Sequence, residues 1–137
     1  MGEKLTDTAE IIEHKGVQIV FHDLSGLKGR VLADALIDIS QAMISKIKHK
    51  NDWVAVNLFT DCTFDDTATK VLIRVHKAMM PYCMAIGEVG LSPIQQSGIQ
   101  LVHSVAKSKV PLRFLDSVEE AKDWVVSIHK EQTLKKS

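Results

Sequence analysis

Two kinds of apolar pattern alternate along the chain. The first is a short, almost unbroken apolar run, best seen at 53–59, which stops at the polar residues 60–63. A run without polar alternation predicts a strand buried on both faces, as in a parallel sheet covered by helices. The second pattern places apolar residues three and four positions apart, as in 66–80, and predicts a helix with one apolar side.

Repetition of this order predicts an α/β fold with a single, mainly parallel sheet. The first two strands flank Lys15 and Gly16, so we expect a hairpin whose first strand is antiparallel and lies at an edge of the sheet. Ser92 followed by Pro93 is typical of a helix start. The prediction comprises about five strands, at 11–14, 17–22, 53–59, 82–87 and 110–115, and about four helices, at 31–48, 66–80, 94–107 and 118–128.

The length of 137 residues fits one domain. We expect a packed core over about 9–129 and a loose polar tail at each end. The turn 49–52 is expected to connect the first helix to the central strand. In the third helix, the apolar residues of one side are Ile94, Gly98, Leu101, Val102 and Val105.

Charge and composition exclude several classes of protein. The 17 basic and 17 acidic residues cancel, which argues against a nucleic-acid binder and against electrostatic attraction to a membrane. No apolar run approaches the ~18 to 20 residues that span a bilayer, and the N-terminus lacks the apolar segment of a signal peptide. The two cysteines, Cys62 and Cys83, are interpreted as free buried thiols in a reducing compartment. We therefore expect a cytoplasmic protein.

The candidate site is the sheet edge at which the parallel strands end. Ligands of open α/β sheets bind outside the carboxyl ends of the strands. These ends carry acids and hydroxyl groups in this chain. The candidate residues for contact with a partner or ligand are Asp23, Ser25, Asp61, Cys62, Thr63, Asp66 and Glu88.

No catalytic, cofactor or metal site is predicted. The six histidines lack metal-ligand spacing, and Asp23 is not part of the adjacent acidic pair that a phosphate-accepting receiver domain needs. Cys62 precedes a helix whose dipole favours thiolate, but no histidine and acid partner is evident in the sequence. The interpretation favoured for Cys62 is an inert buried thiol, and for the whole protein a non-enzyme.

Thr67 is a candidate phosphoacceptor. It lies at the start of the second helix, where free backbone N–H groups favour a phosphate. Asp65 and Asp66 beside it oppose the added charge. From physical chemistry alone, the preferred interpretation of Thr67 is an ordinary helix-start residue.

Three segments resemble the SpoIIAA-like family of small bacterial STAS-type proteins: VFHDLSG at 20–26, MMPYCMAIGEVGL at 79–91 and FLDSVEEAKDW at 114–124. A fourth segment, FDDTA at 64–68, resembles the start of the helix that follows a central strand in STAS domains. The resemblance implies about five strands and four helices, in agreement with the pattern above. In STAS anti-anti-sigma domains an Asp-Ser pair opens this helix, and phosphorylation of the serine switches binding to a kinase partner; here Thr67 replaces that serine. The fold is also similar to the CRAL-TRIO lipid-transfer fold, which implies an apolar ligand or a membrane-surface role.

Two functional hypotheses follow from these observations. The first is a non-catalytic STAS-like interaction or regulatory domain that docks a protein partner around 63–67. The alternative is a binder of a lipid, another apolar ligand or the membrane surface through mobile amphipathic helices. An enzyme ranks last, and a homodimer is compatible with either hypothesis.

Overall fold

The computed structural model describes residues 2–46 and 53–136. Within these residues the chain forms one sheet of six strands, four α-helices and a short 3-10 helix. The strands are β1 (Glu3–Lys4), β2 (Ala9–His14), β3 (Val17–Asp23), β4 (Trp53–Leu58), β5 (Cys83–Val89) and β6 (Leu112–Leu115). The helices are α1 (Gly29–Lys46), α2 (Asp66–Met79), α3 (Pro93–Val105) and α4 (Val118–Lys136), and the 3-10 helix is Met80–Tyr82.

The sheet follows the order of the chain from β1 to β6. Strands β1, β2 and β3 pair antiparallel, whereas β3, β4, β5 and β6 pair parallel. Lys15 and Gly16 have φ angles of 51° and 83°. Two positive φ angles are the geometry of the tight hairpin turn that matches strand twist. The mixed α/β fold and the hairpin are therefore confirmed.

Both predicted tails contain regular structure. Glu3 and Lys4 pair with Ile11 and Glu10, so a sixth strand lies outside β2 and the predicted edge position of β2 was wrong. At the other end α4 continues past His129 to residue 136, where long, unbranched side chains favour helix. Helix α1 is described up to Lys46. Its predicted end at about residue 48 and the predicted turn 49–52 lie outside the described residues.

The central strand β4 separates two apolar layers. Val54 and Val56 pack with Ala121 and Val125 of α4, whereas Ala55 belongs to the core on the opposite face. All three β4 residues are buried, which confirms the prediction of a strand covered on both sides. Helices α1 and α2 cover the opposite face, and α3 packs chiefly on α2.

Candidate functional site

The loops that follow β3 and β4 lie side by side at the carboxyl edge of the sheet. The Gly26 N–H donates to the Thr60 carbonyl at 2.8 Å, and the Thr63 N–H donates to the Leu27 carbonyl at 3.2 Å. Parallel strands end at the same side of a sheet, so their loops can pair in this way. Six of the seven predicted edge residues lie on these two loops or at the adjoining element ends: Asp23, Ser25, Asp61, Cys62, Thr63 and Asp66.

This strand-end edge is held by local polar contacts. Asp23 accepts a hydrogen bond from the Ser25 N–H at 3.0 Å, which shapes the first loop. The Gln95 side chain at the start of α3 donates to the Cys62 carbonyl at 2.9 Å. The edge is therefore connected to α3 as well as to the sheet.

Thr67 lies exposed in the first turn of α2. The preceding Asp65 is the N-cap residue, and its carboxylate accepts a hydrogen bond from the Ala68 N–H at 2.8 Å. An exposed hydroxyl group in a first helical turn is accessible to a modifying enzyme and lies close to the positive end of the helix dipole. Its role as a phosphoacceptor stays a prediction.

Cys62 is buried and lacks the environment of an activated nucleophile. Its Sγ–H donates to the Leu24 carbonyl at 2.7 Å. Burial raises the pKa of the thiol above its ordinary value, and hydrogen bonds from the Leu27 and Gly26 backbone offset this effect only in part. A raised pKa reduces the thiolate fraction, so the position of Cys62 supports the inert-thiol interpretation.

Glu88 lies inside the core instead of on the edge. The sequence prediction ended the strand at residue 87, but β5 continues to Val89 and places Glu88 within the sheet at 1% exposure. A strand in a covered sheet can bury a carboxyl group only if the group stays neutral or gains a partner. Burial raises the pKa of Glu88 to about 8, and contact with the Asn57 side chain lowers it only in part.

A row of polar side chains crosses the sheet at this level. His22 is in register with Asn57, and Asn57 is in register with Glu88, so the three side chains point to the face covered by α1 and α2. His22 accepts or donates a hydrogen bond at 2.9 Å to the Thr8 hydroxyl group, and burial lowers the pKa of His22 to about 4. The Oε2 atom of Glu88 has no hydrogen-bond partner among the described residues.

A small cavity adjoins this polar row. It has a volume of about 70 Å³ and lies between the sheet and helices α1 and α2, next to His22, Asn57 and His76. Sites for drug-sized ligands have volumes of ~300 to 1,000 Å³. The internal cavity is therefore too small for a lipid in this conformation.

A larger groove lies between α2 and α3 and ends at the strand-end edge. The groove has a volume of about 390 Å³. We call it the α2–α3 groove, and its apolar lining includes Phe64, Leu72, Ile73, Ile94, Leu101 and Val105. Cys62 and Thr63 form its end, so the groove and the predicted edge are one continuous surface.

The outer wall of the groove is an exposed apolar stripe on α3. Ile94, Leu101 and Val105 are 85%, 65% and 49% exposed. Helix α3 instead buries Ile99 and Val102 against the rest of the protein. The sequence predicts that these residues share one side of the helix, but it does not indicate that this side is exposed. The sequence does contain a sign of this exposure. Apolar or glycine residues at 94, 98, 99, 101, 102 and 105 span a wider arc of the helix than the side that packs against a single neighbour.

The described residues hold few other candidate sites. No group of three or more His, Cys, Asp or Glu side chains in ranges 2–46 and 53–136 is placed to hold a metal ion. Among the helices of those same ranges, none has the length and apolar character needed to cross a membrane.

Comparisons with known proteins give a fold but no function. No family model and no curated protein matches the sequence. The chain is similar to the solved structure of an uncharacterized protein of the DUF3478 family with a SpoIIAA-like fold, from Shewanella loihica PV-4. The superposition has a TM-score of 0.65 at 13% sequence identity and covers 85% of this chain and 91% of that one. This chain has a SpoIIAA-like fold.

The SpoIIAA-like fold confirms the resemblance inferred from the sequence at the level of architecture. The sheet and its four helices match that fold over most of the chain. At 13% identity the likeness carries no information on activity or partners. The function must therefore be argued from the surfaces of this chain.

Proposed function

We propose that this protein is a non-catalytic STAS-like interaction domain that docks a protein partner through the α2–α3 groove and the strand-end edge. The observation that carries the proposal is the exposed apolar stripe of Ile94, Leu101 and Val105 beside a groove of about 390 Å³. Exposed apolar surface that forms a continuous patch costs solubility unless it contacts a partner, and such patches mark interaction sites.

The described surroundings of the groove support binding over catalysis. The buried Cys62 thiol at its end has a raised pKa, and the groove lining contains no histidine. The nucleophile, base and oxyanion donors that a hydrolytic site needs are not assembled in this lining. We therefore propose a function without turnover.

Thr67 supplies a candidate regulatory element for this docking surface. It is exposed in the first turn of α2, and Thr63 and Phe64, which line the groove, come shortly before that turn in the chain. A phosphate at this position would add negative charge beside Asp65 and Asp66. The added charge would change the affinity of the strand-end edge for a partner. If Thr67→Ala left partner binding and its regulation unchanged, the regulatory part of the proposal would be wrong.

A second candidate function is the binding of an apolar ligand in the same groove. Its volume of about 390 Å³ falls in the range of small-molecule sites, and its lining is mostly apolar. Native mass spectrometry of the purified protein, followed by denaturing extraction, tests this candidate. A retained small molecule that Val105→Asp removes and Ile44→Asp does not would favour the ligand over the protein partner.

Site-specific photocrosslinking tests the partner hypothesis. A benzophenone side chain is placed at Leu101 in the groove and, separately, at Ile44 on α1, in cells that express the protein. We expect a discrete crosslinked protein from Leu101 only. Identified and purified, that protein should bind the wild type and lose about tenfold or more in affinity for Val105→Asp.

The matched control is Ile44→Asp, because Ile44 and Val105 are both 49% exposed. Equal losses for the two variants would point to general damage, and normal binding by Val105→Asp would place the partner elsewhere. Thermal unfolding of both variants checks that each is folded.

A further inference from the structure

The charges beside the α2–α3 groove are asymmetric. Lys70 and Lys77 lie three residues before and four residues after Ile73, and positions at this spacing are neighbours on a helix surface. Both lysines are exposed, and neither takes part in a salt bridge within the described part of the chain. The α2 side of the groove is therefore flanked by positive charge.

The opposite side of the groove carries no formal charge. Helix α3 contains no Asp, Glu, Lys or Arg between Pro93 and Val105. Beyond Asp66 in its first turn, α2 likewise contains no acid, while it carries Lys70, Arg74 and Lys77. Within the two helices, the exposed lysines therefore lie on the α2 side of the groove only, with Asp66 as the acid at the start of that helix.

The shape of the groove fits a helix. The exposed stripe repeats at residues 94, 98, 101 and 105, and α3 is about 20 Å long at 1.5 Å per residue. Gly98 lies in the middle of the stripe, and a Cβ atom there would meet no atom within 4 Å. An apolar groove of this length with an open notch suits an amphipathic helix, whose anchoring side chains also repeat every three to four residues.

Other occupants fit less well. A flat bilayer reaches protruding side chains but not Leu72, which is 4% exposed and lines the groove. A second copy that presents its own α2 would bring two sets of lysines to the same surface. A strand has no free sheet edge in this groove, because both walls are helices.

We infer that the α2–α3 groove receives an amphipathic helix of a partner protein whose flank toward α2 is acidic. The inference rests on the proposed function and adds the structure and charge of the partner segment. Ile73, Leu101 and Val105 contact the apolar face of that helix. Lys70 and Lys77 pair with its acidic residues and favour this partner over helices with basic flanks.

A phage-displayed library of helical peptides tests the inference. All members share one scaffold of about 18 residues, enough to span the groove. Positions on one face vary among Leu, Ile, Met and Phe, and positions on each flank vary among Glu, Lys and Gln. The library is selected against the full-length wild type and against Lys70→Glu/Lys77→Glu. We expect Glu to be enriched on one flank with the wild type, and Lys on that same flank with the charge-reversed variant.

Synthetic peptides from the selection give the affinity. The Glu-flanked peptide should bind the wild type about tenfold more tightly than the same peptide with Lys, and the difference should shrink at high salt. Leu101→Asp should abolish binding of every selected peptide, whereas Ile44→Asp should not. The lysine variant should remain folded at the assay temperature, as thermal unfolding can check, because both lysines are exposed and exposed charges contribute little to stability.

The outcomes separate this inference from the proposed function. Selected helices without a charge preference would overturn the acidic flank and leave groove docking intact. Failure to select any helix, despite a crosslinked partner at Leu101, would overturn the helical partner alone. If photocrosslinking at Leu101 captures no protein and the library yields no helix, both proposals are wrong. Binding to phosphatidylglycerol vesicles that Leu101→Asp abolishes, with no selected helix, would assign the groove to a membrane.

Discussion

The side-chain amide of Gln95 donates a hydrogen bond of 2.9 Å to the carbonyl oxygen of Cys62. Gln95 belongs to α3 and Cys62 to the loop after β4, so this bond connects α3 to the loop at one end of the groove. The same Gln95 side chain accepts the Ser92 N–H at 3.0 Å and completes the capping box of α3. The Gln95 side chain therefore caps the N-terminus of α3 and also fixes α3 against the loop after β4.

Replacement of Gln95 should loosen this end of the groove. Gln95→Ala removes the bonds to the Cys62 carbonyl and the Ser92 N–H, and we expect a loss of about 1 to 2 kcal/mol in the free energy of unfolding. Urea unfolding provides the measurement. Gln100→Ala is the control, because Gln100 is exposed on the same helix and its loss should cost less than about 0.5 kcal/mol. Equal stability of the two variants would contradict the role of Gln95.

Two glycines should respond in opposite directions to alanine. Gly90 has a φ of +86°, and a Cβ atom there would lie 2.6 Å from Thr60 Oγ1, so Gly90→Ala should destabilise the protein by about 2 kcal/mol or more. Gly98 lies within α3 with open space around it, so Gly98→Ala should stabilise by about 0.5 to 1 kcal/mol. Thermal unfolding of both variants distinguishes them. A neutral Gly90→Ala would contradict the close contact between Gly90, just after β5, and Thr60 in the loop after β4.

The buried carboxyl group of Glu88 should make stability fall as the pH rises. The pKa of Glu88 is raised from 4.5 in the unfolded chain to about 8 in the fold, so the folded state holds a proton that the unfolded state releases. Stability is therefore highest below pH 4.5 for this group and falls toward pH 8 by at most ~1.4 kcal/mol per pH unit. Glu88→Gln cannot ionise, so its stability relative to the wild type should increase over this pH range.

Chemical unfolding of both proteins at several pH values measures this difference. The histidines do not confuse the comparison: His22 and His76, whose pKa values burial lowers to about 4, are present in both proteins. Their effect has the opposite sign, because stability from a lowered histidine pKa is lost as the pH falls from 6.5 toward 4. The control Glu13→Gln replaces an exposed carboxylate. A constant difference between Glu88→Gln and wild type would show that Glu88 is ionised in the fold.

The Cys62 thiol should react slowly in the folded protein. Burial raises its pKa, and its Sγ–H donates to the Leu24 carbonyl. Alkylation by iodoacetamide near neutral pH should be about tenfold or more slower than in the urea-unfolded chain. Peptide mapping by mass spectrometry separates Cys62 from Cys83, whose pKa burial raises to about 12. Rapid and selective alkylation of folded Cys62 would revive the nucleophile hypothesis and with it an enzymatic function.

Local pattern was sufficient for most of the architecture. The almost unbroken apolar run of β4 predicted burial on both faces because a strand has only two faces and both carried apolar residues. Lys15 and Gly16 between two β-prone runs predicted the hairpin, since few residues adopt the two positive φ angles of its turn. The parallel order of the strands then predicted that Asp23, Ser25, Asp61 and Thr63 lie at one edge of the sheet.

Local pattern did not predict the burial or the secondary structure of residues that depend on contacts with parts of the chain distant in sequence. The sequence around Glu88 predicts an acidic residue in a loop. Glu88 is buried because β5 pairs with β4 and β6 at this residue. The sequence predicts tails at the last turns of α4 and at the strand β1, because polar residues there give no periodic signal of the helix or strand to which they contribute.

The sequence by itself determined the α/β class, the hairpin and the edge at which the strands end, because these depend on periodicity and turn chemistry over short distances. The tertiary structure decided which apolar residues are core and which are surface. Ile99 and Leu101 are equally apolar in the sequence, yet Ile99 is 2% exposed and Leu101 is 65% exposed. The difference arises because α3 packs on α2 along one side only, and that contact brings together residues about thirty positions apart in the chain.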